Sequence, residues 1–171
     1  MTDTVNRLPL GADSTFLVIG YGNPRQGDDA IGLKVVSQLK ALKIPNVEAI
    51  GVNQLMPELS NKLAASNFAC FVDACKLNHV GTINIKPIKP YGSEPAGSVV
   101  PAWGHSCDPA SLLALTYSVY GHCPQAWWVE VPASDFKVGH HLSELAVSGI
   151  EEALHVIEAL IDSRLQVQSQ R

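Results

Sequence analysis

The chain has 171 residues, is 46% hydrophobic and 16% charged, and carries a formal net charge of −4 at pH 7. Such a length favours one domain over 1–171, with its core at about 15–163 and loose tails, and the apolar share excludes a disordered chain. The lysines are scattered and no apolar run reaches the roughly 18 residues of a membrane span, so neither nucleic acid nor a membrane is an expected partner.

Residues 1–13 lack the apolar stretch of a secretory signal, and Cys70, Cys75, Cys107 and Cys123 show no CxxC spacing. They read as reduced thiols, which implies a cytoplasmic protein. TFLVIG (15–20) is a continuous apolar run, the mark of a strand buried on both faces. From Ala30 to Lys43, the residues Ile31, Val35, Leu39 and Leu42 recur at helical spacing. NVEAIGV (46–52) is a second strand, and Pro57 opens a short helix to about Ala65. FACFV (68–72) is a third strand, expected to stop at Asp73. GTINIKPI (81–88) alternates and reads as a strand nearer an edge. Residues 87–104, rich in proline and glycine, form a long connection of the kind that covers sites. A helix is expected over Pro109–Tyr120, a strand over 126–133, and a final helix from near Ser143 to about Ser163. This alternation predicts an α/β fold: a three-layer α/β/α sandwich around a mostly parallel, roughly five-stranded twisted sheet.

Ligands of such sheets bind beyond the carboxyl ends of the strands. That rule selects Asp28 and Asp29 after the first strand, Asp73 at the end of the third, and His105 just ahead of the third helix. The turn Gly20-Tyr21-Gly22-Asn23-Pro24-Arg25 has arginine where a dinucleotide fingerprint needs its third glycine, and no Gly-Lys-Ser/Thr follows for a phosphate loop. Two carboxylates would also repel a pyrophosphate. The alternative for the pair is helix capping, with Asp28 as the cap and Asp29 in the first turn. Adjacent residues point different ways, so at most one of the two is expected to face a site. Together Asp29, Asp73 and His105 offer two carboxylates and an imidazole, a set that suits a borderline divalent ion and leaves positions open for substrate. The remaining histidines read as surface or turn residues. A thiol route through Cys107 and His105 is the enzymatic alternative.

The chain resembles the hydrogenase maturation proteases over nearly all of residues 15–163. The likeness rests on VIGYGNPRQGDDAIG, NQLMPEL, FVDA, GHSCDPASLLAL and WVEVPASDF, in that order. WGHSC is most similar to members that serve bidirectional NAD(P)-linked hydrogenases. The resemblance implies an endopeptidase that trims the C-terminal extension of the nickel–iron hydrogenase large subunit precursor after nickel insertion. It carries the family's nickel-recognising residues onto Asp29, Asp73 and His105, as catalytic and metal-contacting groups. The nickel is then expected to arrive with the precursor rather than to reside in the enzyme. The metal would polarise the scissile carbonyl or activate water, or an aspartate would act as base. Gly22, Asn23 and Gln54, with Leu55, are the candidate substrate-gripping residues. The alternative without catalysis is a nickel-sensing chaperone of the precursor.

Overall fold

The structure, a computed structural model, describes residues 14–76, 81–93 and 107–165. Five strands form one sheet in the order β2-β1-β3-β5-β4: β1 (Phe16–Tyr21), β2 (Val47–Val52), β3 (Phe68–Lys76), β4 (Asn84–Ile88) and β5 (Gln125–Ala133). The first four in that order run parallel, and β4 closes one edge antiparallel to β5. Helices α1 (Ile31–Ala41) and α4 (Glu144–Leu165) cover one face; α2 (Ser60–Ala64) and α3 (Pro109–Tyr120) cover the other.

Strand alternation sorts the core into two apolar layers. Phe16 and Val18 of β1 join Cys70 and Val72 of β3 and Trp127, Val129 and Val131 of β5 beneath α1 and α4. Leu17, Ile19, Ala69 and Phe71 turn the other way, under Leu63 of α2 and Leu112 and Leu113 of α3. The continuous apolar runs are therefore buried on both faces, as parallel sheets require. The final helix presents Ala146, Gly149, Ile150, Ala153, Ile157 and Ile161 inward. It is held at its start by Ser143, whose hydroxyl accepts the Ala146 N–H.

Two boundaries near the site differ from the sequence expectation. A single turn of tighter helix over Gly27–Ala30 precedes α1, so the acidic pair lies ahead of the regular helix. Strand β3 does not stop at Asp73 but continues to Lys76. Its last register with β1 is Gly20↔Val72, whereas its pairing with β5 runs on from Asp73↔Glu130 to Lys76↔Ala133. The polar residues of this extension are kept extended by one neighbour, not by burial on two sides.

The chain leaves β1 toward β2 on one side, then returns over β1 to place β3 on the other. A crevice opens where the two crossovers diverge, at the carboxyl ends of β1 and β3. α1 reaches this crevice by backbone contact. A Cβ on Gly32 would lie 2.5 Å from the Val72 carbonyl oxygen and 2.7 Å from the Tyr21 nitrogen, and one on Gly20 would lie 2.0 Å from the Gly32 oxygen.

Helix propensity alone would make Gly32→Ala stabilising by about 1 kcal/mol. The backbone atoms around it cannot yield as a flexible side chain would, so overpacking dominates and the variant is expected to lose about 2 kcal/mol or more in urea unfolding. A gain in stability would contradict the close approach.

Candidate functional site

The turn after β1 is built on Gly22. Its φ of 148° is strained for any residue with a side chain, and a Cβ there would sit 1.9 Å from the Asp29 carbonyl oxygen. The Gly22 N–H donates to the Val52 oxygen, which ties the turn to the end of β2. The next N–H, of Asn23, donates to Asp29 Oδ2 at 2.7 Å. Gly22 and Asn23 thus shape and orient Asp29 through the backbone.

Asp28 and Asp29 point apart. Asp28 is fully buried, and it does not cap the helix that follows it, contrary to the capping expectation. Its carboxylate accepts from the N–H groups of Ser134 and Asp135, both at 2.9 Å, and from the N–H and hydroxyl of Ser143, at 2.8 and 2.6 Å. It therefore joins the turn after β1 to the segment between β5 and α4, and serves the N-terminus of α4. Burial acts to raise its pKa, but the Ser143 hydroxyl and the three backbone donors outweigh this and hold it below the ordinary carboxylate range. The join is reinforced by Asp28 N–H to Asp135 oxygen, Gly27 N–H to Gly139 oxygen, and Gly139 N–H to Arg25 oxygen.

Asp73 lies on the α2/α3 side of β3, beyond the point where β1 turns away. Its carboxyl is pushed up from 3.8 to about 6. Burial is the largest cause; the charges of Asp29 and Glu130 add to it, and hydrogen bonds from Tyr21 and the Ala74 backbone oppose it. The charge of Asp29 is felt at Asp73, so the two carboxylates lie within electrostatic reach of each other beyond the ends of β1 and β3. His105 lies outside the described residues, as does all of 94–106. Among the described residues no group of three or more histidine, cysteine or acidic side chains is placed to hold a metal ion.

Several neighbours were not singled out in the sequence. Tyr21, at the end of β1, donates to Asp73, and its own pKa is raised by burial and then by the Asp73 and Asp108 charges. Trp128 works the other way on Tyr21, but its buried indole N–H lies outside hydrogen-bond geometry with the described residues. The signal for Tyr21 was strand alternation: it shares a face with Leu17 and Ile19 and ends an apolar strand with a polar tip. Asp108 caps α3 by accepting the Ser111 N–H at 2.7 Å and also accepts the Tyr91 hydroxyl at 2.7 Å. Glu130, paired with Asp73 in register, is held by Lys86 at 3.1 Å and the Asn84 amide at 2.9 Å.

Other expected residues fare differently. Gln54 is exposed after β2, and its amide donates to the Met56 sulfur. Leu55 is buried in the core beneath α2 and α3, which removes it from any grip on substrate. The thiol of Cys107 is raised by burial and by the Asp108 charge, the opposite of what activates a nucleophile. Of the proposed covering loop, the described part places Tyr91 against the start of α3, with its N–H on the Ala110 oxygen and its hydroxyl on Asp108. His140 and His141 are exposed, with His140 Nδ1 3.1 Å from the Pro24 oxygen, and His155 is exposed on α4.

No protein-family model matches the chain, and no curated protein matches it in sequence. Solved structures do match. The hydrogenase maturating endopeptidase HybD from Escherichia coli is 25% identical, with a TM-score of 0.67 over 88% of this chain and 94% of that one. The NiFe hydrogenase maturation protease HycI from Thermococcus kodakarensis is 23% identical, with a TM-score of 0.66 over 84% and 90%. A hydrogenase 2 maturation peptidase from a Thaumarchaeota archaeon is 23% identical, with a TM-score of 0.64 over 86% and 98%. The fold of this chain is the fold of those proteases.

The raised pKa of Asp73 makes a stability prediction. Between about pH 4 and pH 6 the folded protein binds a proton that the unfolded chain releases, so stability falls as pH rises through that window. Above it the ionised, buried carboxylate is a standing penalty. Asp73→Asn is expected to be more stable than the parent protein by about 2 kcal/mol at pH 7.5 and no more stable at pH 4. Urea unfolding of metal-free protein at both pH values checks this, and an equal gain at both would refute the electrostatic cause.

Proposed function

We infer that this chain is a hydrogenase maturation endopeptidase, which removes the C-terminal extension of the NiFe hydrogenase large subunit precursor once nickel has been inserted. The observation that supports the reading is the charge of Asp29 acting on Asp73 at the carboxyl ends of β1 and β3, in a fold shared over 88% of the chain with a maturating endopeptidase. Two like charges held together favour a cation between them. Nothing in that arrangement welcomes a phosphate.

The nickel is substrate here, cargo of the precursor. Asp29 and Asp73 offer it oxygen donors, with His105 as the expected nitrogen donor. A bound divalent ion polarises a peptide carbonyl or lowers the pKa of an attacking water. The chain's own residues hold the geometry. Asn23 N–H fixes one oxygen of Asp29, and the Tyr21 hydroxyl steadies Asp73. Modest affinity without thiolate ligands suits a protease that must sense loaded precursor and then release it.

The site residues are proposals of the same reading, as is the bidirectional type of hydrogenase, supported by the WGHSC segment at 103–107. A cytoplasmic location is proposed from the four free cysteines Cys70, Cys75, Cys107 and Cys123. No helix among the described residues is long and apolar enough to cross a membrane.

The test is the mass of the large subunit after nickel-loaded precursor is mixed with purified protein. The parent protein is expected to shorten it. Asp29→Asn, Asp73→Asn and His105→Ala are each expected to slow processing by about 100-fold or more while remaining folded. Cys107→Ala is expected to process normally. An unchanged mass with the parent protein would leave a chaperone that binds without cutting.

A further inference from the structure

The sheet has two edges, and they are defended differently. β4 carries Pro87, which has no N–H to offer an incoming strand, and Lys86 and Lys89 lie beside it. β2 (VEAIGV) has no proline, and among the described residues no strand covers its outer side.

The ladder fixes which groups face out. The Phe16 N–H donates to the Asn46 oxygen at 2.9 Å, and the Gly22 N–H to the Val52 oxygen at 3.2 Å. Parallel ladders alternate along the strand, so the even-numbered residues of β2 serve β1. Ala49 and Gly51 turn their N–H and C=O groups outward, and Val47 its C=O. A groove lies on each face of the sheet at the amino-terminal half of β2. One, of about 280 Å³, is lined by Lys40, Lys43 and Ile44 at the end of α1; the other, of about 570 Å³, by Asn61, Lys62 and Ser66 around α2. Both include Val47 and Glu48, so β2 divides them. An added strand would send alternate side chains into the two grooves, the arrangement by which strand addition obtains specificity.

We propose that the outer edge of β2 receives an extended, carboxylate-bearing segment of the precursor that adjoins the scissile bond. The proposal rests on the processing reading above. Continuity with the site is one argument. The edge ends at Val52, which holds Gly22, and Gly22 packs on Asp29, so six residues of strand, about 20 Å, run to the end of the sheet at which Asp29 lies. Charge is the other. Lys40, Lys43 and Lys62 outnumber Glu48, which is already paired with Lys62, so the amino-terminal half of the edge is basic on a chain whose net charge is −4. The same lysines disfavour a second copy of this chain, because pairing two β2 edges would bring like charges together.

Hydrogen exchange tests the edge without requiring cleavage. On addition of nickel-loaded precursor, the amides of Ala49 and Gly51 are expected to gain protection. Exchange unchanged at both would overturn the proposal, as would protection that rises with protein concentration alone, which assigns the edge to a second copy. Kinetics give the second test. Ala49→Pro removes an outward N–H at a position where an edge strand tolerates proline, and Lys40→Glu with Lys43→Glu reverses the charge without touching the strand. Each is expected to raise KM for precursor about tenfold, the worth of roughly one net hydrogen bond, with kcat within about twofold. If the parent protein processes precursor and the lysine variant keeps its KM, the docking edge is wrong and the protease reading stands. If the parent protein protects the edge but leaves the precursor uncut, the protease reading fails and the docking edge stands.

Discussion

The carboxylate of Asp28 is the fixed point of the site. It has no exposure to solvent, and its oxygens accept four hydrogen bonds from Ser134, Asp135 and Ser143. A buried charge is tolerated only when paired or fully hydrogen-bonded, and here backbone donors and one hydroxyl do the work of a counter-ion. The turn after β1 and the start of α4 are thereby locked to each other. Asp29, one residue on, then has little freedom: Gly22 presses on its carbonyl, and Asn23 N–H holds its carboxylate. Neighbouring acids divide the labour: Asp28 braces from within, and Asp29 lies close enough to Asp73 for its charge to act there.

The crevice follows from topology. The chain crosses to β2 on one side of β1 and returns to β3 on the other, so the two crossovers diverge at the carboxyl ends of β1 and β3. Asp73 occupies the stretch of β3 that β1 no longer accompanies, and Glu130 of β5 is its register partner. Burial above all, with the charges of Asp29 and Glu130, disfavours an ionised Asp73, and its raised pKa expresses that. The strain is local and is retained because the surrounding sheet, with its two apolar layers, over-determines the backbone.

Much of this was legible in the sequence. The apolar runs of β1 and β3, the helical spacing of α1 and α4, and the alternation of β4 each carry their own period. The strand-end rule singles out Asp28, Asp29, Asp73 and His105; of these Asp28 is a buried brace, and the charge of Asp29 reaches Asp73. What escaped depends on distant partners. The donors to Asp28 lie more than a hundred residues along the chain, so a local reading could see only a helix cap. The extension of β3 through Asp73, Ala74, Cys75 and Lys76 has no apolar signature, because pairing with β5 sustains it. Leu55 looked like a substrate contact in a loop and is core, since α2 folds back over it. His105 rests on its motif alone.

Asp29 and Asp73 are proposed to accept a divalent cation together in the β1/β3 crevice. Anomalous diffraction from crystals of the purified protein soaked in a nickel salt tests it most directly. The account predicts a nickel peak with an oxygen of each aspartate at about 2.1 Å, lost in Asp29→Asn and in Asp73→Asn. Nickel bound elsewhere, or a crevice with no peak while the two side chains turn away from each other, would contradict it.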